Sequence, residues 1–316
     1  MNAKTDKTVR KKNFKQRVFK YIANGNVYYD MMFLPGLIFL VVFNIIPLFG
    51  LTFVFYDYIP ALGLSESDFV GFDNFRLLFM RPDFWPAIRN TFFIAMLKIV
   101  IGFPIPIIFA LLMNEVRNIG VKTGIQTVVY LPNFISWVVM SGIIIDIFSK
   151  NTGLINNVID FLGGERKDFL GSNATFVPVL ILTDIWKSFG WGSVIYLSSL
   201  AAIDPTYYES AVIDGATRWK QTFAITLPSM LPIILLSSTL QLGNVLNAGF
   251  DQIFNLQNDL VLETSEIIDT LSYKMYHDDF NWSQSTLIGL MKSFVSMFFI
   301  LGGWKLAKKF SGYSVF

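Results

Sequence analysis

The stretch "ESAVIDGATRWKQTFAITLP", Glu209 to Pro228, decides how this chain is read, because of what lies on either side of it. Before it runs "VLILTDIWKSFGWGSVIYLSSL" (179–200) and after it "SMLPIILLSSTLQLGNVL" (229–246), both apolar enough to lie in lipid. Between them come Glu209, Asp214, Arg218 and Lys220, arranged around a central Gly215-Ala216. A long charged insert between two apolar segments is a surface element of a membrane protein. Its local chemistry predicts a shape. Asp204-Pro205 reads as a helix start, with Asp204 as cap and Pro205 in the first turn. A short helix over 206–212 places Tyr207, Ala211 and Asp214 near one face, Gly215-Ala216 breaks it, and a second helix ends at Pro228. Small residues at the bend allow another backbone to come close.

The composition agrees with a chain that lives in a bilayer. Its 316 residues are 53% hydrophobic and only 15% charged, with a mean hydropathy of +0.51, whereas soluble domains carry about 25% charged residues. Six segments are long and apolar enough to span: 31–55, 90–113, 123–147, 176–200, 229–250 and 285–306. The first is too long for the core of a cleaved signal peptide and is read as a retained helix. Pro104 and Pro106 are expected to kink the second. Most lysines and arginines fall in the N-terminal segment (Lys4 to Lys20), the second-to-third connection (Arg117, Lys122), the insert (Arg218, Lys220) and the C-terminus (Lys305, Lys308, Lys309). The positive-inside rule makes these cytoplasmic, so both termini are expected inside. The organisation expected is a basic cytoplasmic segment over 1–28, a six-helix transmembrane domain over 29–310 and a cytoplasmic tail over 311–316.

The outer connections, 56–88, 148–175 and 251–284, are long. "VGFDNFRLLFMRPDFW" and "GLINNVIDFLGG" read as short surface helices, the latter closed by two glycines, and the last connection is acidic. They are either solvated caps or a landing surface for an extracellular partner. Chemistry of the chain's own is not apparent. With no cysteine there are no disulfides, thiol nucleophiles or thiolate metal sites. Gly-Lys never occurs, which excludes a GxxxxGK[ST] phosphate loop. The single histidine, His277, stands beside Asp278 and Asp279 as a solvated loop residue, since a metal site needs three or four converging ligands. The net charge of +2 is too small for a nucleic-acid partner.

The insert resembles the EAA loop of the permease subunits of ABC importers: EAA, three residues, Gly, then a run to Ile-x-Leu-Pro. Glu209, Ala211, Asp214, Gly215, Ala216, Phe223, Ile225, Leu227 and Pro228 match it, and Ser210 stands where the family usually has Ala. "NTFFIAMLKIVIGFPIPIIFALLMNEVRN", "QTVVYLPNFISWVV" and "GLINNVIDFLGG" are similar to oligosaccharide-importer permeases of the LplB type, so the likeness covers nearly the whole chain. The resemblance implies an all-α type I importer permease in a bacterial plasma membrane, not an enzyme, with ATP and Mg on a separate ATPase. The implied partners are a second permease of different sequence, an ATPase dimer, an extracellular solute-binding protein and an oligosaccharide. The loop over 201–228 is then the coupling element. Glu209 would be the charged contact, Ser210, Ala211, Asp214 and Ala216 part of the docking face, Gly215 the hinge, and Arg218 a surface contact.

Polar residues inside spans are costly and point to function. Asp184, Lys187 and Ser188 share a face of the fourth span, flanked by Trp186 and Trp191, and Asp184 and Lys187 at three residues apart could neutralise each other. Gln241, Asn244 and Asn247 form a stripe on the fifth. Such a stripe either holds helices together or lines a pathway for a hydroxyl-rich solute, with Trp191 stacking on sugar faces. Asn133, Trp137 and Asp146 are further candidates, and Lys98 and Lys292 are buried charges with no evident partner in sequence; Lys98, which snorkels less easily than Lys292, is expected to pair with an acid elsewhere. A self-contained secondary transporter or channel is the alternative; it predicts internal repeats and paired intramembrane carboxylates.

Overall fold

The structure is a computed structural model that describes residues 26–311, with side chains over 28–305. The basic run Lys4 to Lys20, the side chains of Lys308 and Lys309 and nearly all of the expected 311–316 tail lie outside the described residues. The chain divides into two compact units, 1–53 and 54–316.

The first unit holds α1 (Asn26–Leu40), which widens to an i→i−5 turn over Val41–Ile45 and then tightens over Ile46–Phe55. The cause is Pro47. It has no N–H to give, and its ring crowds the carbonyl four residues earlier, so the preceding turn opens by one residue. Ile46 N–H accordingly reaches Val41 O.

The second unit opens with a two-residue antiparallel pairing, β1 (Tyr56–Asp57) on β2 (Asp68–Phe69), in the register Tyr56 to Phe69 and Asp57 to Asp68. Helix α2 (Asp73–Met80) follows, the surface helix expected there. Next come α3 (Phe84–Gly102) and α4 (Pro104–Glu115), joined at Phe103 with helical torsions, so Pro104 opens the next helix rather than ending the run. This long rod organises the unit, because three apolar clusters follow one another along it. Phe84 and Ala87 belong to one with Leu271, Met275 and Leu287. Ile94 belongs to a second with Met140, Phe176, Leu180 and Ile253. Ile107 and Ala110 belong to a third with Tyr196, Leu200 and Met230.

Around the rod lie α5 (Ile119–Tyr130), α6 (Trp137–Phe148), α7 (Leu154–Phe161), α8 (Asn173–Gly192), α9 (Val194–Ala201), α10 (Pro205–Ile213), α11 (Arg218–Gln221) and α12 (Leu227–Leu242). After them come α13 (Phe250–Leu256), α14 (Leu262–Ser265), α15 (Ile268–His277) and α16 (Trp282–Ser311). Lipid tails are as apolar as the side chains, so burial alone does not hold such helices together; close contact and internal hydrogen bonds do. Glycine supplies the contact at Gly190, where a Cβ would run into the Val129 carbonyl of α5, and at Gly303, where it would lie 2.9 Å from Leu242. Asparagine side chains tie the connections down. Asn74 Nδ2 donates to the carbonyls of Val54 and Tyr56, each at 2.9 Å. Asn90 Nδ2 reaches Glu263 O at 2.9 Å and Glu266 O at 3.1 Å.

Among the described residues four helices are long and apolar enough to cross a membrane: Tyr28–Phe55, Phe84–Glu115, Arg218–Leu242 and Trp282–Lys305. The pair Ile119–Phe134 and Trp137–Phe148 makes a fifth if counted together, bent by 105°. Three expectations are corrected. The span expected at 123–147 is not straight, because "LPNF" forms a tight 3₁₀ turn and Ile135 is extended. The fifth span ends at Leu242 rather than near 250, and residues 243–249 are irregular. The second helix of the insert does not stop at Pro228; Thr222–Thr226 widens as Val41–Ile45 does, again two residues before a proline, and the helix continues. The segment expected as a fourth span is α8 and α9 joined at Ser193, outside the set above.

Candidate functional site

Asp184, Lys187 and Ser188 lie on one turn of α8, but their partners differ. Lys187 Nζ donates to three backbone carbonyls at the α5–α6 bend: Pro132 at 3.2 Å, Asn133 at 3.0 Å and Ile135 at 2.7 Å. A bent helix frees carbonyls that lipid cannot satisfy, and this ammonium satisfies them. Asp184 faces the other way. Its Oδ1 lies 3.2 Å from Lys98 Nζ on α3, which also donates to Gln252 Oε1 at 2.5 Å. Gln252 is oriented for this because its amide nitrogen donates to Leu180 O at 2.8 Å and Thr183 Oγ1 at 2.9 Å. The suggested Asp184–Lys187 neutralisation is therefore replaced by two separate arrangements, each pairing a charge that would be costly alone.

Lys98 and Asp184 open on a cavity of about 430 Å³ that also takes in Ser188, Trp191, Gln241, Asn244 and Asn247. These sequence-selected residues meet although the helix ends at Leu242, because the turns after it keep the three-residue spacing: Asn244 N–H donates to Gln241 O at 2.9 Å and Asn247 N–H to Asn244 O at 2.7 Å. Ser188 Oγ donates to the Asp184 carbonyl at 2.7 Å. The Trp191 indole meets Phe134 edge-on, with centroids 5.6 Å apart, and is 52% exposed. Asn133 lines the same cavity. Trp137 does not; its ring sits 5.4 Å from Lys187 Nζ and packs against the core. Asp146 is exposed on α6, away from the cavity. Lys98 was legible as a buried cation in need of an acid elsewhere, and Asp184 is that acid. Gln252 and Tyr196 carried no signal, the first in an apparent outer connection and the second in an apolar run. Amides, a hydroxyl, an ion pair and an exposed indole face suit a polyhydroxylated solute, held by hydrogen bonds and ring contact. The larger cavity, about 830 Å³ between α3 and α8, is lined mainly by apolar side chains such as Phe93, Leu97, Ile181 and Ile185 and offers no such set.

The insert forms a second site. Asp204 caps α10, its carboxylate accepting from Thr206 N–H at 2.9 Å, and this bond holds the carboxyl below its ordinary range. The helix closes with Ala216 N–H on Ala211 O at 2.8 Å and Gly215 N–H on Val212 O at 3.0 Å, the two bonds of a Schellman ending. That ending needs a left-handed residue, and Gly215 has φ of +71°. A Cβ there would meet nothing within 4 Å, so within this chain the glycine answers to torsion rather than to close approach. Glu209, Ser210, Asp214 and Arg218 are exposed, while Ala211 and Ala216 are half-buried. Glu209, Arg218 and Gln221 line a cavity of about 520 Å³ closed by Asn114 and Glu115 at the end of α4. Arg218 lies 3.6 Å from Glu115. The helix that starts at Arg218 runs 25 residues to Leu242, about 36 Å at 1.5 Å per residue, and reaches the first cavity through Gln241. One rod thus touches both sites.

Bilayer-length helices, a polar cavity lined by the Phe84–Glu115 and Arg218–Leu242 rods, and a charged helical hairpin that leads into the second of these are the parts of a membrane permease. The chain belongs to the binding-protein-dependent transport system inner membrane component family, whose model matches residues 102–301. It is accordingly a multi-pass plasma-membrane permease subunit and not an enzyme, which sets aside the self-contained transporter or channel. Protein LplB of Bacillus subtilis (strain 168) is 40% identical over 286 residues, covering 90% of each chain. The polygalacturonan/rhamnogalacturonan transport system permease protein YteP of the same organism is 38% identical over 301 residues, covering 95% of this chain and 93% of its own. Among solved structures, a bacterial ABC transporter involved in the import of the acidic polysaccharide alginate has a chain that superposes with a TM-score of 0.86 at 34% identity, covering 93% of this chain and 99% of that one. The same fold recurs, at TM-score 0.86, in the alginate ABC transporter in complex with an alginate pentasaccharide-bound periplasmic protein.

Proposed function

We propose that this chain forms half of the translocation path of an ATP-driven oligosaccharide importer, with a second permease of different sequence completing it. Six transmembrane helices, counting α5–α6 and α8–α9 as one each, and cytoplasmic termini give the arrangement: a basic segment over 1–28, the permease domain over 29–310 and a tail over 311–316. An ATPase dimer, which carries ATP and Mg, docks on the 201–228 loop; this chain needs no cofactor. Glu209, Ser210, Ala211, Asp214, Gly215, Ala216 and Arg218 form the docking element. Asp184, Ser188, Trp191, Gln241, Asn244 and Asn247 contact the sugar, delivered by an extracellular binding protein. The observation that carries this reading is the Arg218–Leu242 rod, one end in the loop cavity and the other at Gln241 in the polar cavity. A push on the loop tilts the rod and reshapes the sugar site. The carbohydrate class is supported by a relative named for polygalacturonan/rhamnogalacturonan transport and by the alginate importer.

The test is uptake into proteoliposomes that contain this chain, its second permease, ATPase and binding protein, with labelled trigalacturonate and maltotriose as probes. ATP-dependent uptake of either is expected. Glu209→Lys should abolish it and release the ATPase on purification. Uptake that persists without the ATPase would overturn the reading.

A further inference from the structure

Beside the polar cavity lies a second, shallow and wide-open one of about 410 Å³ that the sequence did not suggest. Its walls come from α15, α16 and the chain that follows α12. Asp269, in the first turn of α15, receives Lys292 Nζ of α16 on both carboxylate oxygens, at 2.6 and 2.7 Å. Tyr273, one turn further along α15, lines the same space and packs against Phe250, Phe254 and His277, at centroid distances of 5.7, 4.8 and 5.5 Å. Ser272 and Ser285 join α15 to α16 by a hydroxyl pair at 3.0 Å. Both side chains of the ion pair nevertheless remain partly open, at 20% and 24%.

Asn247 lines both cavities. Two residues later the chain turns at Gly249, with φ of +92°, where a Cβ would stand 2.8 Å from Lys98 Nζ. Gly249 faces the inner cavity and Phe250 the other. A single turn of irregular chain therefore separates the two spaces, and neither has chemistry foreign to the other: each has an ion pair, aromatic rings and small polar groups.

We infer that this cavity is a second saccharide subsite, in series with the first, that takes one pyranose ring of an oligosaccharide. Tyr273, stacked on one side against His277, and Phe250, stacked on Phe254, offer their remaining ring surface to its apolar C–H side, and Asp269 and Lys292 hydrogen-bond its hydroxyls. A ring here and a ring at Trp191 belong to one chain passing Asn247. The inference rests on the carbohydrate reading above.

The same proteoliposomes test it, with trigalacturonate and maltotriose, and galactose and glucose as single-ring controls. Tyr273→Leu keeps the apolar volume but removes the ring, and Asp269→Asn with Lys292→Met keeps the pair neutral. Each should raise KM for the transported trisaccharide at least tenfold. Maximal uptake, ATPase retention and thermal midpoint should stay near wild type, and Tyr273→Phe should restore KM. If all variants keep KM within twofold while the wild type transports, the subsite is refuted and the carbohydrate reading stands. If the midpoint falls together with maximal rate and KM does not move, the pair is structural and the subsite is likewise refuted. If the wild type takes up no saccharide, the carbohydrate reading fails and the subsite with it.

Discussion

Replacing Lys187 by methionine tests the most specific structural claim, that one ammonium holds the α5–α6 bend. The side chain is buried, with three donors on the carbonyls of Pro132, Asn133 and Ile135. Each hydrogen bond to a charged group contributes about 1.5–3 kcal/mol, and each carbonyl left without a partner costs about 1–3 kcal/mol. Three orphaned carbonyls set a ceiling of about 9 kcal/mol. Methionine fills the stem, relieves the desolvation of the ammonium, and lets the turn relax, so about 3 kcal/mol is expected. At about 2–4 °C per kcal/mol, the thermal midpoint of the purified protein should fall by ~6–12 °C. Amide hydrogen exchange over 131–139 should accelerate, while the 218–242 rod keeps its protection. A midpoint within ~2 °C of wild type, with unchanged exchange at the bend, would show that water or neighbouring groups satisfy these carbonyls and that the argument is wrong.

Other outcomes follow from single contacts. Lys98→Met and Asp184→Asn should each destabilise by about 1–3 kcal/mol because each leaves a partly buried charge without its partner, whereas the double variant should cost less than their sum, which a double-mutant cycle on thermal or denaturant unfolding measures. Gly190→Ala should cost about 1–3 kcal/mol by pushing α8 away from the Val129 carbonyl, read from the unfolding midpoint. Gly215→Ala should cost about 1–2 kcal/mol for an L side chain at φ of +71°, and Gly215→Asn less, measured by helix content and ATPase co-purification. The Arg81 guanidinium, bidentate on Asp83 and also bonded to Asp279, holds the Asp83 carboxyl below its ordinary value. Stability from this pair is therefore present above about pH 3.9, the unfolded value, and lost as pH falls through the lower folded value. Wild type and Asp83→Asn should accordingly converge in midpoint as pH is taken from 7 to 3.

Much of the fold could be read directly from the sequence. Runs of apolar residues announce spans because lipid demands about 20 of them in a row. Asp204-Pro205 announces a helix start, since both residue types suit those positions, and Gly215-Ala216 announces the break, although the reason for the glycine is its left-handed torsion and not the close approach expected of it. The charged insert is legible because polar residues do not stay in hydrocarbon, so their place in the order of spans identifies the loop. The polar stripe of Gln241, Asn244 and Asn247 is also legible, although helix periodicity was the wrong reason for it; turns with three-residue spacing carry it past Leu242.

What the sequence leaves open are pairings between residues far apart in the chain. Lys98 finds Asp184 across 86 positions and Gln252 across 154. Nothing local distinguishes Lys187, which turns to carbonyls, from Asp184 one turn away, which turns to a cation, because the choice depends on which helix lies against each face of α8. Proline offers the same lesson on a smaller scale. Pro47 and Pro228 break the hydrogen-bond ladder wherever they stand, but whether the helix stops or widens by a residue and goes on depends on what packs around it. The sequence by itself determined the apolar runs, the charged insert and the polar residue types that meet in the first cavity. The tertiary structure alone decided which charges are paired, where the third span bends, and that Asn247 stands between two cavities, because each of these depends on side chains brought together from helices that the order of the chain keeps apart.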